Sequence, residues 1–163
     1  MRRMGRLRKQ FVPLGDGTYK VRLADWEREL LEDLPRQLTE LLATDDPSLR
    51  RLFPAAYHAD AERDAEYQRF MREEILASRM AAAQTLQRSA KAEVLTENDL
   101  LAWMGSMNAI RLVLGTQLDV TEEMITLDPE DPRAPVFGVY GWLGMLVERG
   151  IEALQGSVAD LDG

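Results

Sequence analysis

The 163-residue chain has no cysteine. This excludes a disulfide scaffold, a thiolate metal site and a thiol-oxidation switch within these residues, and it fits a reducing cytoplasm. Histidine is nearly as scarce, since His58 is the single one. No His-Glu-x-x-His motif, Glu-x-x-His di-iron pair or other histidine-based metal site can be assembled from one such residue. A Ser-His-Asp hydrolase would need that same histidine, and no Gly-x-Ser-x-Gly elbow is present. His58 sits in a polar stretch and reads as a surface or loop-packing residue. No run of about 18 apolar residues occurs, so no membrane span is expected. The first ten residues, MRRMGRLRKQ, are basic and lack the apolar run of a secretory signal. Carboxylates could still do acid–base work, but no pair of them is singled out. The expectation is a non-enzyme with no cofactor and no metal.

What is present fits one globular domain: 45% apolar and 29% charged residues. The expected organisation is a single helical domain over residues 1–155, with its N-terminal hairpin at 6–23, and a flexible tail at 156–163. The formal net charge of −8 is unevenly placed. Residues 1–22 carry seven basic side chains against the lone acid Asp16, so this end holds +6 and the remainder −14. Such asymmetry suits a basic contact arm on an acidic body. It equally suits a protected strand edge, where lysine and arginine are common.

The stretch Leu95–Leu118 organises the rest. Thr96 is placed to cap a helix, with Asp99 three residues on. Leu100, Trp103, Met104, Met107, Ile110 and Leu114 then recur at spacings of three and four. Gly115 reads as a stop or slack point. Asn108 and Arg111 fall on or beside this apolar stripe as a structural polar core, and a charge there calls for a partner, for which Glu73 and Glu74 are candidates.

Ahead of that helix, RLRKQFVPL and TYKVRL flank Gly15-Asp16-Gly17, a turn rich in residues tolerant of positive φ. Alternation puts Phe11, Tyr19, Val21 and Leu23 inward. It gathers Arg6, Arg8, Lys20 and Arg22 outward into a positive patch. Pro13 suits an edge strand. A helix opening at Asp25 as N-cap should bury Trp26, Leu30, Leu34, Leu38, Leu41 and Leu42, with Pro35 kinking or breaking it near 31–34. A short helical turn, SLRRLF, ends at Pro54. A long helix from about Asp60 to Ser89 should bury Tyr67, Phe70, Met71, Ile75, Leu76 and Met80. DPEDP at 128–132 is a solvated acidic loop without calcium-loop spacing. A last helix over Val136–Leu154 presents Tyr140, Leu143 and Val147, and Gly138, Gly141 and Gly144 allow close helix approach. A helix-turn-helix over 97–116 is disfavoured, because the stripe runs straight through Gly105. GDGT at 15–18 is a hairpin turn, since no Gly-Lys-[Ser/Thr] pattern or helix follows. The fold class is therefore mostly α, a helical bundle with an N-terminal β-hairpin packed on it.

AWMGSMNAIRLVLGTQLDVTEE, followed by YGWLGMLVERGIEAL, resembles the actinobacterial domain-of-unknown-function family 2017. The shared pattern is a tryptophan, an Asn-x-x-Arg-Leu-x-Leu-Gly run and a closing Tyr-x-x-Leu. Here these are Trp103, Asn108, Arg111, Leu112, Leu114 and Gly115, then Tyr140 and Leu143. The basic hairpin and DPSLRRLFP fit as well, so the likeness spans about residues 5–155. The resemblance implies a cytoplasmic, non-enzymatic regulator of transcription in oxidative stress that binds DNA, cooperates with an alternative sigma factor and switches through a pair of cysteines. This chain departs from it by having none, and its eight methionines are a weak substitute because most fall on apolar helix faces. Two readings follow. In one, the patch of Arg6, Arg8, Lys20 and Arg22 contacts DNA or an acidic partner while the bundle offers a homodimer or sigma-factor surface. In the other, the chain is an interaction module or adaptor with no nucleic-acid role.

Overall fold

The computed structural model describes residues 9–53, 61–120 and 127–161. Four helices carry a small antiparallel sheet: β1 (Phe11–Pro13), β2 (Thr18–Val21), α1 (Asp25–Leu42), a 3-10 helix (Pro47–Leu52), α2 (Ala61–Ser89), β3 (Val94–Thr96), α3 (Glu97–Leu118) and α4 (Ala134–Leu161). The mostly helical class with a packed hairpin holds.

The hairpin forms as its turn chemistry predicts. Gly15 and Gly17 both take φ +84°, the Leu14 N–H donates to the Thr18 carbonyl, and Asp16 accepts from the Thr18 N–H. Phe11 pairs with Val21 and Pro13 with Tyr19, which puts Phe11, Tyr19 and Val21 on one buried face. A third strand, not foreseen, joins from far along the chain. In β3, Leu95 pairs with Tyr19 and Val94 with Lys20, giving the order β1-β2-β3. With three strands and helices beneath, the sheet avoids the weakness of an isolated hairpin.

α3 is the central post. It buries Leu100, Trp103, Ser106, Met107, Ala109, Ile110 and Val113, which share roughly half of its circumference, while Leu101 on the other side is 48% exposed. Thr96 caps it, its hydroxyl accepting from the Asp99 N–H at 3.1 Å. No turn interrupts it at Gly105, so no helix-turn-helix exists here. Nor does it stop at Gly115. The helix ends three residues later at Leu118, beyond which Asp119 adopts φ 53° and the N–H groups of Asp119 and Val120 close on the Thr116 and Gly115 carbonyls. Gly115 instead admits a neighbour: a Cβ there would lie 3.0 Å from Tyr140 Cε2.

Trp103 is fully buried, edge-on to Phe11 with ring centroids 6.0 Å apart, and its indole N–H donates to the Ser89 hydroxyl at 2.7 Å. That single residue ties α3 to the sheet and to α2.

Four other expectations change. α1 begins after Ala24, so Asp25 is its first helical residue and not the cap; Glu27 does the capping, accepting from the Ala24 N–H at 3.0 Å. Pro35 does not break α1. The helix runs through it, with Leu31, Pro35, Leu38 and Leu42 as its buried face and Trp26 left 58% exposed. Packing of that face offsets the hydrogen bond proline cannot donate. α2 packs through Ala83 and Leu86 near its C-terminal end, while Tyr67 and Phe70 stand exposed. α4 continues to Leu161, through most of the segment read as a tail. Its fully buried residues are Leu143 and Leu146, with Val136 and Ile151 partly exposed. No helix among the described residues is long and apolar enough to cross a membrane.

Candidate functional site

The positive patch is split by what the structure describes. Arg6, Arg8 and His58 lie outside the described residues. Lys20 and Arg22 are exposed, and the strand alternation that buries Tyr19 and Val21 turns them to the opposite face. Lys20 stands in register between Val12 and Val94, the latter 48% exposed, so the outer sheet face mixes positive charge with apolar surface. Neither Lys20 nor Arg22 takes part in an ion pair with another described residue. Beside them stand two acids. Exposed Glu93 passes its carbonyl to the Val21 N–H, and Asp16 occupies the turn. The Thr18 hydroxyl and N–H hold the Asp16 carboxyl below its ordinary value, so it stays ionised.

Asn108 and Arg111 are brought together, one helical turn apart on α3, but not as a salt bridge. Arg111 Nη2 donates to Asn108 Oδ1 at 3.3 Å, and its guanidinium carbon lies 5.6 Å from the Tyr140 ring centroid. Glu73 and Glu74 are exposed on α2, and no described carboxylate lies within ion-pair distance of Arg111. Its Nε is shielded from solvent and has no hydrogen-bond partner. The pair is half-buried, at the mouth of a cleft between α3 and α4. Of the three glycines expected to permit close approach, Gly144 does so: a Cβ there would meet Arg111 Cδ at 3.5 Å, while Gly138 and Gly141 face open space. Gly150, unforeseen, packs closest, with Met104 Sδ 2.8 Å from where its Cβ would be.

Arg28 was also not anticipated from the sequence. It donates to the carbonyls of Val21, Ala90 and Ala92 at 2.7–3.2 Å, joining β2, α1 and the α2–β3 connection. Backbone acceptors carry no sequence signal, so only its position after a hairpin could have hinted at it.

Acidic loop 127–133 is built from side-chain-closed turns. Asp128 accepts from the Glu130 N–H and Asp131 from the Arg133 N–H, at 2.9 and 2.8 Å. Among the described residues no group of three or more His, Cys, Asp and Glu is placed to hold a metal ion.

The model of one family, a domain of unknown function (DUF2017), matches residues 4–154. Curated proteins named oxidative stress regulator AosR, from Mycobacterium bovis and from two strains of Mycobacterium tuberculosis, are 33% identical over 131 residues. The match covers 69% of this chain and 60% of each relative, so the chain spans about three fifths of their length. No solved structure matches.

Proposed function

This chain belongs to the domain-of-unknown-function family 2017, and from that membership we propose that it is a non-enzymatic, transcription-associated stress regulator of the cytoplasm. The observation that carries the reading is its likeness to proteins named as oxidative stress regulators. In this reading Arg6, Arg8, Lys20 and Arg22 make the contact with DNA, or with a sigma factor, and the bundle holds the hairpin rigidly against them. Sequence-independent gripping of phosphates needs unpaired cations on a firm element, and Lys20 on the central strand and Arg22 just past its end fit that need. An acidic body behind a basic end also orients the approach to a polyanion. With no cysteine among its 163 residues, the chain takes its signal without a thiol switch of its own.

A second reading, an adaptor with no nucleic-acid role, draws on Tyr67 and Phe70. They stand 59% and 60% exposed on the same helix, aromatic rings of the kind that anchor protein interfaces. Fluorescence anisotropy with promoter-length DNA separates the two. The first reading expects affinity that falls steeply with salt, at about −0.9 in log–log slope per phosphate contacted. Changing Arg6, Arg8, Lys20 and Arg22 to Gln should then flatten the slope by about 3–4. Absence of DNA binding by the parent, with salt-insensitive capture of a sigma factor lost on Tyr67→Ala and Phe70→Ala, would establish the adaptor instead.

A further inference from the structure

We propose that the cleft between α3 and α4 is a binding site for a small monocarboxylate with an apolar body, anchored by Arg111. The cleft is an open groove of about 390 Å³, and its lining includes Arg111, Tyr140, Gly141, Gly144, Val147 and Glu148.

The first argument is the state of the guanidinium. Arg111 is half-buried, its Nε has no partner, and its single side-chain hydrogen bond is a long one from Nη2 to the neutral Asn108 carbonyl. A partly desolvated cation with an orphaned donor is costly, and a bound anion would satisfy it. Arginine's planar fork matches a carboxylate in two parallel bonds, which a lone amide oxygen cannot reproduce.

The second argument is the shape around it. Gly144 leaves out the side chain that would stand 3.5 Å from Arg111 Cδ and 3.8 Å from Nη1. Gly141, on the same helix, has nothing within 4 Å of its Cβ position and keeps the cleft open. Tyr140 supplies an aromatic wall 5.6 Å from the guanidinium carbon, and Val147 lies one to two turns further along α4. The carboxylate therefore meets Arg111 while the body of the ligand lies against ring and aliphatic surface. Exposed Glu148 sits on the rim, and its charge selects against doubly charged anions.

This site is separate from the hairpin face and its test uses no DNA, so its failure says nothing of the regulator reading. Calorimetric titration and thermal unfolding would be run with benzoate, with benzamide as the neutral isostere and with inorganic phosphate. Benzoate should bind saturably and raise the unfolding midpoint, while benzamide and phosphate do neither. Arg111→Gln and Gly141→Leu should each weaken benzoate by about tenfold or more. Gly141→Leu fills the cleft while leaving Arg111 in place, and its loss of binding cannot be blamed on a disturbed guanidinium. No benzoate binding by the parent, an equal response to benzamide or phosphate, or undiminished binding in either variant would overturn the proposal.

Discussion

The Trp142 indole N–H donates to Glu27 Oε2 at 2.9 Å, while Glu27 Oε1 accepts from the Ala24 N–H at 3.0 Å. One carboxylate thus caps the start of α1 and fastens it to α4, residues 115 positions apart in the chain. Trp26 leans on the same indole, ring centroids 5.9 Å apart, which explains an otherwise exposed tryptophan. Glu27→Ala removes the cap and strands the indole donor together, and should cost about 1–2 kcal/mol. Trp142→Phe keeps most of the ring contact and should cost less. Urea unfolding of both variants decides it: an unchanged midpoint for Glu27→Ala would mean that the two bonds contribute nothing.

Arg28 holds together elements that hydrophobic contact alone leaves loosely joined. Its three acceptors are all backbone carbonyls, and losing the guanidinium leaves them facing one another without a donor. Arg28→Met retains the aliphatic stem and should still lose about 2–4 kcal/mol, because bonds from a charged donor are the stronger kind. Arg28→Lys should recover part of that. Amide hydrogen exchange in β3 tests where the loss falls: protection there should drop before protection in α3, and a uniform drop would contradict the clasp.

Much of this architecture was legible from residue patterns, and the failures have physical causes. Alternation over Phe11 and Tyr19–Arg22 gave the correct faces because a one-sided sheet enforces a period of two. Thr96 was readable as a cap because the cap is a local interaction. β3 was not, since three residues are too few to alternate and its pairing with β2 is non-local. The stripe expected on α2 failed at its N-terminal half: Tyr67 and Phe70 have helical spacing but stand exposed. Pro35 misled because propensity is overridden where the flanking face is buried. At the cleft, Arg111 reads as needing a partner, and periodicity could not reveal that no described carboxylate lies within ion-pair distance of it.

Two glycines on α3 should respond to alanine in opposite directions. At Gly115 a Cβ would stand 3.0 Å from a ring carbon of Tyr140 and 3.5 Å from Arg51 Nη1, so the ring must give way to admit it. Gly115→Ala should therefore destabilise by about 1–2 kcal/mol. At Gly105 nothing lies within 4 Å of the added methyl, and the residue sits mid-helix. Gly105→Ala should stabilise by about 0.5–1 kcal/mol by reducing the freedom of the unfolded chain. Thermal unfolding of the two variants side by side checks the difference, and shifts of the same sign would refute the packing argument.

Three aspartates give the chain part of its acid sensitivity. Asp16, Asp46 and Asp131 each accept hydrogen bonds from groups two residues on, the Thr18 and Ser48 hydroxyls and N–H groups and the Arg133 guanidinium and N–H. The side-chain bond is the leading cause in each case, and each carboxyl is held below the ordinary 3.8. A depressed folded value means the charged form is favoured by folding. The stabilisation is present above the unfolded value, near pH 4, and is lost as pH falls through the folded one. Asp16 and Asp46 are exposed and Asp131 is only half-buried, so each effect is small, and one change would be hidden among the chain's 28 acidic residues. The triple variant Asp16→Asn, Asp46→Asn and Asp131→Asn keeps amide oxygens as acceptors and removes the titration. Its stability should fall less steeply than the parent's as pH is lowered from about 5 to 2.5, measured as the unfolding midpoint against pH. Raised salt should narrow the gap through the Asp131–Arg133 pair, whose charges lie 2.9 Å apart at the surface, and leave the neutral Thr18 and Ser48 bonds to carry the rest. Parallel acid limbs for parent and variant would show that these turns form equally well with the carboxyls protonated.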